Sequence, residues 1–178
     1  MAQIDEFART LLEEAKRFLE RAEGAAEVSA HSAYLHAALL LAFSSLEAHV
    51  NAISDDFIDR PEVSVHERGF MAEREIRMES GQFVLRGTRI TKLEDRIQFL
   101  HARFGRALDN TETHWGRLAE ATKLRNQLTH PKETLAITKQ EVGRAIQAII
   151  DTLDSLYHAI YGRGFPSANR GLDSKLIF

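Results

Sequence analysis

The residues with the greatest capacity for chemistry stand together at Arg125-Asn126-Gln127-Leu128-Thr129-His130-Pro131. An imidazole can take up or release a proton near neutral pH. A guanidinium offers a fixed fork to phosphate or carboxylate oxygens. Such a pair suits reactions in which a phosphate gathers negative charge while protons move on and off neighbouring oxygens. Asn126 adds an amide able to bond a phosphate or hold His130. Leu118, Ala121, Arg125 and Leu128 follow one another by three, four and three residues, so Arg125 shares the inward line of an amphipathic helix. A charge there needs a partner or a bound anion. Pro131 disfavours helical geometry at His130, so the helix stops at the histidine and the chain can turn to re-aim it.

Spacing alone does not single this pair out. With 17 arginines and 8 histidines in 178 residues, chance supplies about one arginine followed five positions later by a histidine. The chain holds two, the other being Arg96 and His101. Side chains five apart in a continuing helix diverge by roughly 140°. Arg96 and His101 lie mid-helix and read as a solvated pair flanking a core face. For Arg125 and His130 the bland alternative is a helix-end pair bonding local carbonyls.

The elements that must position these residues are helices. Ile4, Phe7, Leu11, Ala15, Phe18 and Ala22 recur at helical spacing and predict a first amphipathic helix ending near Gly24. From Val28 to Ser54 the one formally charged residue is Glu47, and apolar residues surround the helix almost completely. Such a helix is buried on most sides, and its serines, asparagine and histidines interrupt it too often for a membrane span. Thr91 and Glu94 predict a capping box for a helix carrying Leu93, Ile97, Leu100, Phe104 and Leu108. Asn110 or Thr111 is placed to cap the next, through Trp115, Leu118, Ala121, Leu124 and Leu128. Thr138 and Glu141 predict another capping box, and Val142, Ile146, Ile149, Leu153, Leu156 and Ile160 form a heptad seam. The expectation is an all-α, up-and-down bundle of four to five long helices in a single domain over residues 1–160. An irregular insertion lies near 62–90, with a short helix over Glu67–Met78 and an extended piece over Gln82–Arg86, and a C-terminal tail covers 161–178.

Composition narrows the function classes. The net charge of −3 is unevenly spread, at −7 over residues 1–59, +3 over 60–106 and +1 over 107–178. That is far from the basic footprint of a dedicated DNA-binding domain. No cysteine is present, which excludes disulfides and thiolate metal sites. The histidines show no metal-binding spacing, and Asp154 with His158 is a lone pair expected on an outer helix, so no metal and no cofactor is expected. No glycine-rich phosphate loop or nucleophile motif stands out. Residues 1–23 lack the apolar core of a signal peptide, and a cytoplasmic location is expected. Trp115 reads as a core anchor. Arg68, Arg74, Arg77, Arg86 and Arg89 read as a solvated face, and His31, His36 and His49 as satisfied core histidines.

The stretch Arg125-Asn126-Gln127-Leu128-Thr129-His130 resembles the signature of the HEPN superfamily, in which an arginine, a polar residue and three further residues precede a histidine at the end of a late helix. Ala42-Phe43-Ser44-Ser45-Leu46-Glu47-Ala48-His49-Val50-Asn51 resembles the earlier buried helix of that family, where a glutamate commonly faces the site. The resemblance spans roughly residues 30–160. It implies an all-α domain and a metal-independent endoribonuclease, in which the RNA 2′-hydroxyl attacks the adjacent phosphate to leave a 2′,3′-cyclic phosphate and a 5′-hydroxyl. Arg125 and His130 would be catalytic, supported by Asn126, by Glu47 orienting Arg125, and by Asn51 on the same face as Glu47. One histidine cannot easily serve as acid and base at once, and the resemblance implies a homodimer with two facing motifs. RNA is the implied partner, with an antitoxin protein in a toxin or phage-defence setting. Pro131 and Lys132 replace the tyrosine that toxins of the nucleotidyltransferase-paired type carry two residues after the histidine, so control through such a tyrosine is not supported. The alternative is a catalytically inactive HEPN-like binding or dimerisation module, with Glu47 and Arg125 as a buried ion pair.

Overall fold

The computed structural model describes residues 2–105 and 113–178. Among them are six helices, α1 (Ala2–Glu23), α2 (Val28–Phe57), α3 (Val65–Met71), α4 (Leu93–Phe104), α5 (Thr113–Thr129) and α6 (Lys139–Tyr161), and a two-stranded hairpin, β1 (Glu75–Glu79) and β2 (Gln82–Arg86). The fold is mostly α-helical, as the sequence predicts. Leu108 and the candidate caps Asn110 and Thr111 lie outside the described residues.

The helices meet along the apolar lines that the sequence carries. Leu12, Ala15 and Leu19 of α1 pack with Leu35, Leu39, Leu46 and Val50 of α2, Ile97 and Leu100 of α4, Leu118 and Ala121 of α5, and the seam of α6 from Val142 to Leu156. Of the helices among the described residues, α2 alone is long and apolar enough to cross a membrane, and 56% of that apolar window is buried by the rest of the chain. Instead of lying outside, α6 touches α1, α2, α4 and α5. Thr138 and Glu141 form the expected capping box, and Gly162 ends α6 in the left-handed conformation at φ 67°. The predicted box of Thr91 and Glu94 does not form. Lys92 stands at the N-cap of α4 without a side-chain bond, because the Thr91 amide donates instead to Glu73 Oε1 at 3.0 Å.

The insertion is more regular than its sequence suggests. Ser64 and Glu67 cap α3 reciprocally, and the helix ends at Met71, short of the expected Met78. Glu73 then takes a left-handed φ of 52°, which no helix continues. The predicted extended piece Gln82–Arg86 is β2, paired antiparallel to β1 with Met78 opposite Phe83. Ser80 and Gly81 both have positive φ, the geometry of a two-residue hairpin turn. Glu73 closes the neck of the insertion. Its carboxylate accepts from Thr91 N and from Arg96, and its carbonyl accepts from Arg89 N at 2.8 Å.

Residues after Tyr161 fold back on the bundle. Phe165 is buried against His49 and Tyr157. The last residues dock on α1, where Arg17 Nε donates to the Phe178 carbonyl at 2.7 Å and Lys175 N donates to Glu13 Oε2 at 2.6 Å. Glu13 also holds the fully buried Lys16 at 2.6 Å.

Candidate functional site at the end of helix α5

Helix α5 ends at Thr129, with the His130 amide still donating to the Asn126 carbonyl at 2.9 Å. The stop falls where Pro131 places it. His130 is exposed and lines a hollow of about 490 Å³ with Asn126, Gln127, Lys132, Glu133 and Leu135. A second hollow of about 420 Å³ adjoins it and is lined by His36, Leu128, Pro131 and Thr134. The two share Gln127, Glu133 and Leu135. On the other side of Gln127, between α5 and α6, Arg117, Lys123 and Arg144 line a third hollow of about 360 Å³, together with Glu120 and Glu141.

Arg125 is half-buried one turn behind this surface. Its guanidinium lies 5.1 Å from the centre of the Phe43 ring on α2. The buried Nε has no hydrogen-bond partner, and among the described residues no carboxylate reaches the guanidinium. Its charge is met by the face of one aromatic ring and by solvent. Arg125 therefore backs the hollow rather than lining it, while Asn126 and His130 stand on the wall.

The other arginine–histidine pair turns out opposite to its expectation. Arg96 and His101 are buried, at 2% and 4% exposure, and are not solvated. Arg96 Nη1 donates to Glu73 Oε2 at 3.2 Å, and Nη2 donates to Asn51 Oδ1 at 2.6 Å and to the Met71 carbonyl at 3.0 Å. Burial pulls the guanidinium below its ordinary pKa, and the carboxylates of Glu73, Glu47 and Asp55 oppose that shift. The charge is retained and compensated by the neck of the insertion. Helical spacing placed Arg96 beside Ile97 and Leu100, but no local signal in the chain announced a carboxylate from 23 residues away.

Two supporting residues therefore need correction. Glu47 is exposed and makes no ion pair with Arg125. It belongs to an open stripe of α2 through Ala33, Leu40, Ser44 and Glu47, which no other helix among the described residues covers, so the helix is apolar all round without being buried all round. Asn51 is engaged by Arg96, not by the α5 site. Arg125 sits instead beside Phe43, one turn before Glu47 on α2.

The three histidines of α2 also separate. His31 Nδ1 lies 2.7 Å from the Ala22 carbonyl and ties α2 to the end of α1. His49 is fully buried, its ring nitrogens without hydrogen bonds and Asp5 Oδ1 3.7 Å from Nδ1. Burial drives its pKa down to about 4, with Asp5 opposing and Arg9 assisting, so it is neutral at physiological pH. His36 faces the hollow. The heptad line Leu35, Leu39, Ala42, Leu46, His49 and Ile53 contains His49 and leaves His36 one position round, on the flank. That offset was the signal available for His36.

Trp115 packs against the core, as its place on the apolar line predicts. Two of the five insertion arginines are paired with carboxylates among the described residues. Arg77 pairs with Glu75 at 2.7 Å and Arg86 with Glu79 at 3.1 Å. Among the described residues, no three His, Asp or Glu side chains group closely enough to hold a metal ion.

No family model, curated protein or solved structure matches the chain. The functional reading therefore rests on the motif and on the geometry around it.

Proposed function

We propose that the chain is a metal-independent endoribonuclease of HEPN type. The observation that carries this reading is the contrast between the two arginines. Arg96, buried, has both terminal nitrogens engaged by protein oxygens. Arg125, half-buried one turn from His130, has no anionic partner among the described residues, and its guanidinium lies against the Phe43 ring. An inward-facing guanidinium without a carboxylate is matched by an arriving anion, and the hollow beside it presents a proton-transfer group, an amide and Lys132. In this reading the RNA phosphodiester lies across the end of α5. Asn126 holds a non-bridging phosphate oxygen from the wall of the hollow, and Arg125 supplies positive charge from behind it as negative charge grows there in the transition state. His130 moves a proton between the 2′-hydroxyl, the leaving 5′-oxygen and solvent. Arg117, Lys123 and Arg144 lie where neighbouring phosphates of a strand would run. Cleavage also needs a second proton-transfer group, and a homodimer with facing motifs is the arrangement implied by the resemblance. Such an activity in the cytoplasm calls for restraint, which fits a toxin or phage-defence role with an antitoxin protein.

A second reading, an inactive binding or dimerisation module, is favoured by one specific feature. Arg125 is stacked on Phe43 behind the hollow, and Glu47 does not orient it. The products separate the two. Incubation of single-stranded RNA with the purified protein in EDTA, followed by end-group analysis, gives 2′,3′-cyclic phosphates and 5′-hydroxyls for the nuclease. RNA that is bound but left intact establishes the module.

A further inference from the structure

We infer that His36 is the second proton-transfer group of this site, supplied by the same chain. This inference rests on the ribonuclease reading. His36 projects from α2, and His130 stands at the end of α5. Their hollows, of about 420 and 490 Å³, share Gln127, Glu133 and Leu135 as walls. The two hollows adjoin along these residues, and in this inference they act as one trough, with His36 on one side and His130 on the other. His36 is half-buried and has no hydrogen bond or ion pair among the described residues, unlike His31, which the Ala22 carbonyl engages. Leu128, Pro131 and Leu135 supply apolar surface for a base or ribose on its side, and Asn126 and Lys132 supply polar groups on the other. The charged group common to both sides is Glu133, and Lys132 faces the His130 side alone.

Cleavage by transesterification requires two proton transfers at different oxygens. One imidazole accepts the proton of the 2′-hydroxyl as that oxygen bonds to phosphorus. The other delivers a proton to the 5′-oxygen as the P–O5′ bond breaks. The products are a 2′,3′-cyclic phosphate and a 5′-hydroxyl, and the rings have exchanged protonation states, which solvent restores. With His36 in the trough, one chain holds both groups, and a facing copy is not needed for chemistry.

The test follows the imidazole resonances of the full-length protein by NMR during titration with uridine 3′-monophosphate, alongside single-turnover cleavage of single-stranded RNA over pH 5–9. His36→Asn and His36→Gln are the variants, each checked by thermal unfolding. The expected result is that the nucleotide shifts both the His36 and His130 resonances. The wild-type pH–rate profile is bell-shaped, and both variants fold, lose one limb of the bell and cleave about a hundredfold or more slowly. If only His130 responds and the folded variants keep both limbs at the wild-type rate, the role of His36 is overturned while the ribonuclease reading stands. If neither resonance moves and no cleavage is seen, the ribonuclease reading falls and takes this inference with it.

Discussion

Arg125 and Arg96 are each half or more buried, yet they stand in opposite electrostatic situations, and their replacement separates the two roles. Arg96→Met leaves Glu73 and Asn51 without their partner at the neck of the insertion. It is expected to cost about 3 kcal/mol or more. Arg125→Ala removes one ring contact and relieves an unpaired nitrogen, so its effect on stability stays within about 1 kcal/mol. Chemical denaturation of both variants reads the difference. His49 makes a third residue-level prediction. Its folded pKa of about 4 lies below its ordinary 6.5, so between these values the unfolded chain binds the proton and the folded chain does not. Stability is unaffected by this group above pH 7 and falls as the pH drops through 6.5 toward 4. From pH 7 to pH 5 the loss is on the order of 2 kcal/mol, and His49→Leu makes the pH dependence of unfolding shallower by that amount. The inward place of Arg125 was legible from its spacing with Leu118, Ala121 and Leu128. The fate of Glu47 was not. Its helix carries apolar residues on every side, and a helix sequence does not state how many sides its neighbours cover.

At the scale of elements, the long helices and their ends were readable because their causes are local. The Thr138–Glu141 box, the stop before Pro131 and the seam of α6 all depend on residues within a turn or two of one another. What the sequence concealed depends on distant partners. Thr91 has the right neighbour for a capping box, yet its amide turns to Glu73, 18 residues earlier. Helix α3 stops at Met71 because the chain must reverse at Glu73 to reach β1. Glu73 thus holds the insertion at three points, through Arg96, Thr91 and Arg89. Glu73→Ala is expected to loosen that neck while α1, α2 and α6 remain packed. Limited proteolysis reads this as faster cutting within residues 62–90 with the remaining helical core persisting. Unchanged cutting would show that the hairpin is held by its own strand pairing and by Arg103, which bonds Glu67 at 2.6 Å.

For the molecule as a whole, the bundle brings the two regions of resemblance into contact in a way that neither stretch reveals alone. Helix α2 gives Phe43 to Arg125 and His36 to the trough, and α5 gives the arginine, the asparagine and the histidine. The tail folds back on α1 and against His49. For the homodimer of the proposed reading, light scattering at micromolar concentration should return twice the chain mass. The central claim is that an uncompensated arginine and a histidine at the end of α5 cleave RNA without metal. The most direct measurement compares cleavage of single-stranded RNA in EDTA by the wild-type protein, Arg125→Ala and His130→Ala, purified side by side and shown to be equally folded. The account predicts cleavage by the wild type and a loss of about a hundredfold or more in each variant. Equal activity in all three preparations, or none in any, would contradict it.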